Sequence, residues 1–121
     1  MKKCIAFEME DAKGALEHIK DNSEKITKYS ESSYNYPLYT WDDGYRMLLR
    51  CKECNSYILL QSSEFHSFYG EDSYYKDYFP VSSIEEAEEL NRKYSGSKIE
   101  KEFTDKWLSV SNSKCNWINN K

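Results

Sequence analysis

The chain has 121 residues, 39% hydrophobic and 31% charged, with a formal net charge of −4 at pH 7. This length predicts one domain over residues 1–121, and an aromatic content of 16% argues against disorder, because disordered chains lack the large rings that drive burial. The acidic balance disfavours direct nucleic-acid binding, and the lack of a signal-type stretch or of an apolar run of roughly 18 residues predicts a cytoplasmic protein with no membrane partner.

A short strand and a long helix are predicted at the start of the chain. Residues 3–8 predict a strand with Cys4 and Ala6 on its inner side. Residues 10–28 predict a helix, because their apolar positions recur at helical spacing and so share one face. These positions are Ala12, Leu16, Ile19 and Ile26. We expect this stripe to pack on a sheet, and the serine- and tyrosine-rich residues 29–37 to form a loop.

The central part of the chain predicts an antiparallel meander. Residues 45–51 and 57–60 are apolar-rich runs on either side of a short polar turn, and residues 38–41 predict a strand before them. A second helix is predicted over residues 83–94, capped by Ser82 or Ser83 with Glu85 or Glu86 as the reciprocal partner.

Two short C-terminal strands, at residues 107–110 and 115–118, complete the predicted sheet. Together these elements predict an α+β fold, in which an antiparallel sheet of about four to six strands packs with two main helices, at about 10–28 and 83–94.

The most specific local motif is the cysteine pair Cys51 and Cys54, separated by two residues at a predicted turn. This spacing lets both sulfurs face one ion, as in one half of a zinc ribbon. A zinc site would need two further ligands, for which the candidates are Cys4, His18, His66 and Cys115. Two free structural thiols, with no cofactor, are nevertheless the preferred interpretation, and the zinc site is the alternative to it. Thioredoxin-like redox chemistry fits less well, because the pair precedes a predicted strand rather than a helix.

Residues 64–89 combine eight acidic side chains with a single lysine and contain seven aromatic rings. Carboxylates among tyrosines suit a surface that docks on a basic protein, because the rings supply rigid contact area and the charges steer the encounter. The expected partner-binding residues are Glu64, Tyr69, Glu71, Asp72, Tyr74, Tyr75, Asp77, Glu85 and Glu89. The structural alternative is that the tyrosines are half-buried, the helical glutamates are only solvated, or the surface forms a homodimer.

Catalysis is not predicted from the sequence. His66 lies two residues from Glu64, but no serine or cysteine nucleophile motif accompanies it, and glycine-rich phosphate loops are absent from the sequence. We therefore expect a protein that is not an enzyme.

Several short segments between residues 44 and 100 carry a resemblance to known proteins. They are Tyr45-Arg46, Cys51-Lys52-Glu53-Cys54, Leu60-Gln61-Ser62-Ser63-Glu64, Asp77-Tyr78-Phe79-Pro80-Val81 and Glu86-Ala87-Glu88-Glu89-Leu90-Asn91. The stretch resembles small cytosolic immunity proteins encoded beside bacterial polymorphic toxins. The resemblance implies a non-enzymatic inhibitor that binds a toxin, often a nuclease, and blocks its active site or holds it inactive. Phage-encoded inhibitors of bacterial defence nucleases share this profile.

The sequence therefore predicts an inhibitor that neutralises a basic protein partner through its acidic, aromatic-rich surface. The alternative function is a zinc-stabilised adaptor or regulator whose fold depends on the Cys51 and Cys54 pair. A thiol oxidoreductase is the third class.

Overall fold

The computed structural model describes residues 4–32, 44–65, 73–94, 99, 103, 105–112 and 114–119, with residues 30–32, 44, 63–65 and 73–74 described as backbone only. The elements in chain order are a 3-10 turn (Ile5–Glu8), α1 (Ala12–Asn22), β1 (Ser23–Ser32), β2 (Gly44–Cys51), β3 (Tyr57–Phe65), β4 (Ser73–Val81), α2 (Ile84–Lys93), β5 (Trp107–Ser111) and β6 (Lys114–Ile118). Neither of these two α-helices has the length and apolar character that crossing a bilayer requires.

The strands form one six-stranded antiparallel sheet in the order β1-β2-β3-β4-β5-β6. Each strand pairs with its sequence neighbour, so the sheet is a meander, although a helix and further chain intervene between β4 and β5. The α+β class, the antiparallel sheet and the two helices are as predicted.

Side chains on both faces of the sheet are buried. Leu49, Ile58 and Leu60 pack on the face that carries α1 and the 3-10 turn. Leu48, Leu59 and Phe79 point to the opposite face, where they pack near Ala87 of α2. Because successive strand residues point to opposite faces, burial on both sides requires the continuous apolar runs seen in β2, β3 and β4.

Helix α2 begins with the predicted capping box. The hydroxyl of Ser83 accepts a hydrogen bond from the backbone N–H of Glu86 at 3.1 Å. The Glu86 carboxylate in turn accepts from the backbone N–H and the hydroxyl of Ser82, at 3.3 and 2.7 Å. The two serines therefore share the capping role that the sequence offered to either one.

The first helix is shorter than predicted. It ends at Asn22, and the segment from Ser23 onward is strand β1, paired with β2. Ile26, expected on the buried helical face, is 39% exposed. The prediction of a helix to residue 28 was wrong because Ile26, Thr27 and Tyr29 are β-branched or aromatic residues that suit a strand, and the β2 edge supplies hydrogen-bond partners.

The N-terminal segment is a 3-10 turn instead of the predicted strand. The N–H of Phe7 donates to the carbonyl of Cys4 at 2.9 Å, and that of Met9 to Ala6 at 3.2 Å. Successive residues of a strand point to opposite faces, so a strand that is buried on one face could not bury both Ala6 and Phe7. The tight turn places both side chains in the core. The strand predicted at residues 38–41 lies outside the described residues.

Candidate metal centre

Three potential metal ligands from separate elements meet beside α1. The sulfur of Cys4, a ring nitrogen of His18 and the sulfur of Cys51 all lie within 4.8 Å of one another. Cys51 Sγ lies 3.4 Å from His18 Nε2. Sulfur and imidazole ligands of one tetrahedral zinc ion are separated by roughly 3.5–3.8 Å, so the cluster has nearly the size that such a site requires.

Local structure explains why these side chains face the same point. Cys4 immediately precedes the 3-10 turn and is completely buried. Cys51 ends β2, and strand alternation puts it on the same face as Leu49, under α1. His18 lies in the last turns of α1, next to the buried Ile19, and its side chain is 11% exposed.

The turn between β2 and β3 follows the clustered Cys51 and carries Cys54, the second cysteine of the pair. The N–H of Asn55 donates to the carbonyl of Cys51 at 2.8 Å, and Asn55 adopts the left-handed backbone conformation, with φ of 57°. Asparagine tolerates that conformation better than most residues. The N–H of Lys52 also donates to the carbonyl of Asn22 at 2.7 Å, which ties this turn to the end of α1.

Cys54, three residues after Cys51, is exposed and is not one of the three clustered ligands. Burial opposes ionisation of its thiol, but the nearby Ser56 hydroxyl, Ile5 backbone N–H and thiols of Cys51 and Cys4 favour the thiolate. Together they lower the pKa of Cys54 to about 7. Cys54 is thus a thiol that ionises near neutral pH.

Cys4 has the opposite electrostatic environment. Burial, the largest cause, raises the pKa of its thiol, and hydrogen bonds with the thiols of Cys54 and Cys51 raise it further. A buried thiol of this kind stays protonated unless a cation is present, because a divalent metal stabilises the thiolate directly.

The imidazole of His18 has a defined orientation. Its Nε2 atom faces Cys51, while Nδ1 lies 3.3 Å from the side-chain nitrogen of Asn22 and 3.6 Å from Oε2 of Glu53. Metal-binding histidines commonly direct their second nitrogen to a carboxylate, which fixes the ring and the tautomer. Glu53, between the two cysteines of the pair, is placed for that role.

The same contacts resemble a catalytic triad, with Cys51 as the nucleophile, His18 as the base and Glu53 as the group that orients the base. A nucleophilic sulfur must reach its substrate, however, and Cys51 is completely buried. The thiol of Cys4 lies in the same cluster, within 4.8 Å of the other two ligand atoms. A catalytic triad does not require this second thiol. Metal binding accounts for more of the observed groups.

The structure brings one cysteine of the predicted pair, Cys51, together with two of the four candidate ligands, and Cys54 is not among the clustered residues. Cys4 and His18 lie at the cluster, whereas Cys115 is half-buried along the groove between α1 and β6. His66 lies outside the described residues. Sequence reasoning missed Glu53 as an orienting group, although its position inside the cysteine pair is a signal that was available.

One residue of the predicted partner-binding surface is buried. Asp77 is 4% exposed, and its Oδ1 accepts a hydrogen bond from Trp107 Nε1 at 3.1 Å. Strand alternation places Asp77 on the α2 face of the sheet, opposite Gln61 of β3. The prediction that Asp77 contacts a partner was wrong, because its carboxylate is engaged inside the protein.

The other predicted contact residues differ in their exposure and in whether the structure describes them. Glu85 and Glu89 are exposed on α2, and Tyr75 on β4 is half-buried. Glu64 and Tyr74 face each other in the β3–β4 ladder, where the backbone alone is described. Tyr69, Glu71 and Asp72 lie outside the described residues.

A buried arginine on β2 was not anticipated. Arg46 has no exposed surface; its Nε donates to Gln61 Oε1 at 3.0 Å and its Nη1 to the carbonyl of Tyr94 at 2.6 Å. The second contact fixes the end of α2 to the sheet. The Arg46 guanidinium therefore has a structural role, because its complete burial leaves no surface that a ligand could reach.

The fold and the cluster together define a small α+β protein with a candidate metal centre. Comparisons with protein-family models, with curated proteins and with solved structures find no match to this chain. The resemblance to immunity proteins therefore stays a prediction.

Proposed function

We propose that this protein is a zinc-stabilised, non-catalytic binding domain in which Cys4, His18 and Cys51 hold a zinc ion. The observation that carries the proposal is the approach of these three ligand atoms to within 4.8 Å of one another. They are far apart in sequence and belong to three different elements, so the geometry arises from the tertiary fold.

The chemistry of the ligands selects the metal. Thiolate sulfur and imidazole nitrogen are the preferred ligands of zinc in proteins, whereas calcium and magnesium require oxygen. Burial of Cys4 and Cys51 agrees with a structural rather than a solvent-accessible role. A zinc ion would crosslink the N-terminal segment, α1 and the β2–β3 turn, and so stabilise a domain of modest size.

Metal analysis of protein purified under reducing conditions tests the proposal. We expect about one zinc per chain, and loss of cooperative thermal unfolding when a strong chelator removes it. Cys4→Ser and Cys51→Ser are expected to lose the metal, whereas Cys115→Ser serves as a matched control that retains it. Metal-free protein whose unfolding is unchanged by added zinc would disprove the proposal.

A second candidate function, inhibition of a basic protein, is favoured by the exposed acidic side chains of α2. Glu85, Glu88 and Glu89 are all exposed on this helix. Acidic groups at the rim of an interface accelerate association with a basic partner. The sequence resemblance supports a toxin or nuclease as that partner and the cytoplasm as the location. The zinc centre would then stabilise the scaffold that presents the helix.

Affinity capture from the native host at low and moderate salt tests the inhibitor proposal. We expect one basic protein to be retained, and its association rate to fall at least severalfold when Glu85 and Glu89 are both replaced by lysine. The double variant should keep its metal content, because both residues lie on α2, which contributes no ligand to the cluster. An unchanged rate of association would remove α2 from the interface.

A further inference from the structure

We infer that the hydroxyl of Ser23 is a positioning group of the metal centre, which donates a hydrogen bond to the Cys51 thiolate once zinc is bound. This inference rests on the proposed function, because it names a group that acts on a ligand of the same site. A hydrogen bond to a thiolate stabilises its charge and fixes the direction of its lone pairs. Ser23 would therefore strengthen metal binding without touching the ion.

The ladder between β1 and β2 places Ser23 beside Cys51. The two residues lie opposite each other in the register, and such partners point to the same face of a sheet. The adjacent pair is Glu24 and Arg50, and the Glu24 carboxylate accepts a hydrogen bond from Arg50 Nη2. Because this pair points to one face, Ser23 and Cys51 point to the other, which carries α1 and the cluster.

The backbone hydrogen bond at the end of the ladder indicates how closely the two side chains approach. The N–H of Lys52 donates to the carbonyl of Asn22 at 2.7 Å, so the next pair, Ser23 and Cys51, is of the non-hydrogen-bonded kind. Side chains are closer in pairs of this kind, and the Cβ atoms of directly opposite residues are about 4.5–5.5 Å apart. Rotation of the serine side chain is then sufficient to bring its hydroxyl within reach of the sulfur.

The hydroxyl of Ser23 also lacks an acceptor in the part of the chain that the structure describes. Its oxygen is buried and has no hydrogen-bond partner among the described residues. Burial of an unpaired hydroxyl is unfavourable, and most buried polar side-chain atoms are paired. The backbone N–H of the same residue donates to the carbonyl of Ile19, so only the side chain is unsatisfied. A metal-bound thiolate on the neighbouring strand would supply the acceptor.

Zinc binding would also remove a donor from the Cys51 sulfur. This sulfur lies 3.4 Å from His18 Nε2, which can donate to it when the nitrogen is protonated. A ring nitrogen that binds the ion has no proton to donate, so the thiolate loses this hydrogen bond just when it becomes charged. Ser23 is placed to replace the lost donor.

The Ser23→Ala variant tests the inference through two effects of different sign. The metal-free variant should be as stable to heat as the wild type or more so, because the substitution removes an unsatisfied buried hydroxyl. Its zinc affinity should nevertheless fall roughly tenfold or more, as for other partners of metal ligands, in competition with a chromophoric chelator. Ser23→Thr keeps the hydroxyl and should retain most of the affinity.

Ser109→Ala provides the matched control. Ser109 is a half-buried serine of β5 that lies opposite Asp77, on the face of the sheet away from the cluster. This variant should bind zinc like the wild type. Wild-type zinc affinity in Ser23→Ala would overturn the inference. An equal loss of stability with and without zinc would show a merely structural role and would overturn it too.

Cobalt(II) titration adds a readout that a merely structural role would not move. A hydrogen bond to the sulfur lowers the energy of its lone pairs and so raises the energy of the thiolate-to-cobalt charge-transfer band. Ser23→Ala should therefore shift this band to longer wavelength while the visible bands of tetrahedral cobalt remain, and Ser23→Thr should match the wild type. A charge-transfer band at the wild-type position in Ser23→Ala would contradict the hydrogen bond.

Failure of the proposed function has a separate signature. If wild-type protein retains no zinc and develops no cobalt spectrum, the metal centre itself is disproved, and the role of Ser23 with it. If wild-type protein binds the metal and Ser23→Ala equals it in affinity and in charge-transfer energy, the metal centre is kept and only the role of Ser23 is lost.

Discussion

At the scale of single residues, His18 would connect the metal-free and metal-bound states of the proposed zinc centre. Without metal, Nε2–H can donate to the Cys51 sulfur while Nδ1 accepts from the Asn22 amide. To hold zinc through Nε2, the ring would carry its proton on Nδ1, which lies 3.6 Å from Oε2 of Glu53. On the proposed function, Glu53 would therefore favour the tautomer that binds the ion.

Replacement of Glu53 by glutamine should weaken zinc binding by roughly 10- to 100-fold, the range found for second-layer partners of metal-binding histidines. The measurement is competition against a chromophoric chelator. Glu53→Asp should restore part of the affinity, and the coordination spectrum should be unchanged in all variants. Glu17, an exposed residue of α1, offers a control. Glu17→Gln removes one negative charge from the protein but leaves Glu53 unchanged. Equal zinc affinity for Glu53→Gln and wild type would show that Glu53 does not position His18.

Thiol reactivity in the metal-free protein should follow exposure and pKa. Cys54 is exposed and has a pKa of about 7, so its alkylation rate should rise with pH and reach half its maximum near that value. Cys4 should react slowly, because burial raises its pKa and blocks access. Mass spectrometry after timed iodoacetamide treatment measures both rates, and zinc should protect Cys4. Cys4 and Cys54 reacting at the same rate in folded protein would contradict the described environments.

At the scale of elements, local capping and strand alternation explain most of the architecture. Helix α2 begins where Ser83 satisfies the Glu86 N–H. The boundary of α1 depends instead on pairing with a strand remote in sequence, since Ser23 lies opposite Cys51. This pairing also positions the ligand at the end of β2 under the helix that carries His18.

Removal of the α2 cap should cost about 1 kcal/mol of unfolding free energy, because Ser83→Ala leaves an N–H of the first turn without a partner. Urea unfolding measures the loss. Ser83→Gly should cost only a few tenths of that unit, since glycine is itself tolerated at the cap position. A loss below about 0.3 kcal/mol for Ser83→Ala would mean that Ser82 is sufficient to cap the helix.

Removal of the buried carboxylate at position 77 should also destabilise the sheet. Asp77→Ala takes away the acceptor of the Trp107 indole N–H, and an unsatisfied buried donor costs about 1–3 kcal/mol. The change is measured by urea unfolding and by the fluorescence maximum of the folded protein. No loss of stability would contradict the burial of this carboxylate.

At the scale of the whole molecule, zinc is expected to couple folding to metal concentration. An ion that binds only the folded state stabilises it by about 2.7 kcal/mol at 100 times its dissociation constant. The three elements that supply Cys4, His18 and Cys51 are otherwise joined through packing around α1. Loss of the ion should therefore loosen the N-terminal segment and the β2–β3 turn first.

The stabilisation by zinc should shrink as the pH falls. Zinc requires deprotonated ligands, so protons compete with it for the thiolates and the imidazole. Burial raises the pKa of the Cys4 thiol, so this ligand loses its proton only to the metal, and protons compete with zinc for it more strongly as the pH falls. Thermal unfolding with and without zinc, at pH values above and below 7, measures the effect. A zinc-induced shift that grows on acidification would contradict thiolate ligation.

The sequence alone determined the features that depend on near neighbours along the chain. The apolar runs predicted β2 and β3, the serine–glutamate spacing predicted the start of α2, and the two-residue gap drew attention to Cys51 as a candidate metal ligand. The tertiary structure alone decided which distant residues lie beside it. Cys4 and His18 meet Cys51 because the 3-10 turn and α1 pack on the β2 face of the sheet, while Cys54 and Cys115 are not part of the cluster. Local patterns report backbone conformation and periodicity, but the convergence of ligands depends on packing between elements far apart in sequence.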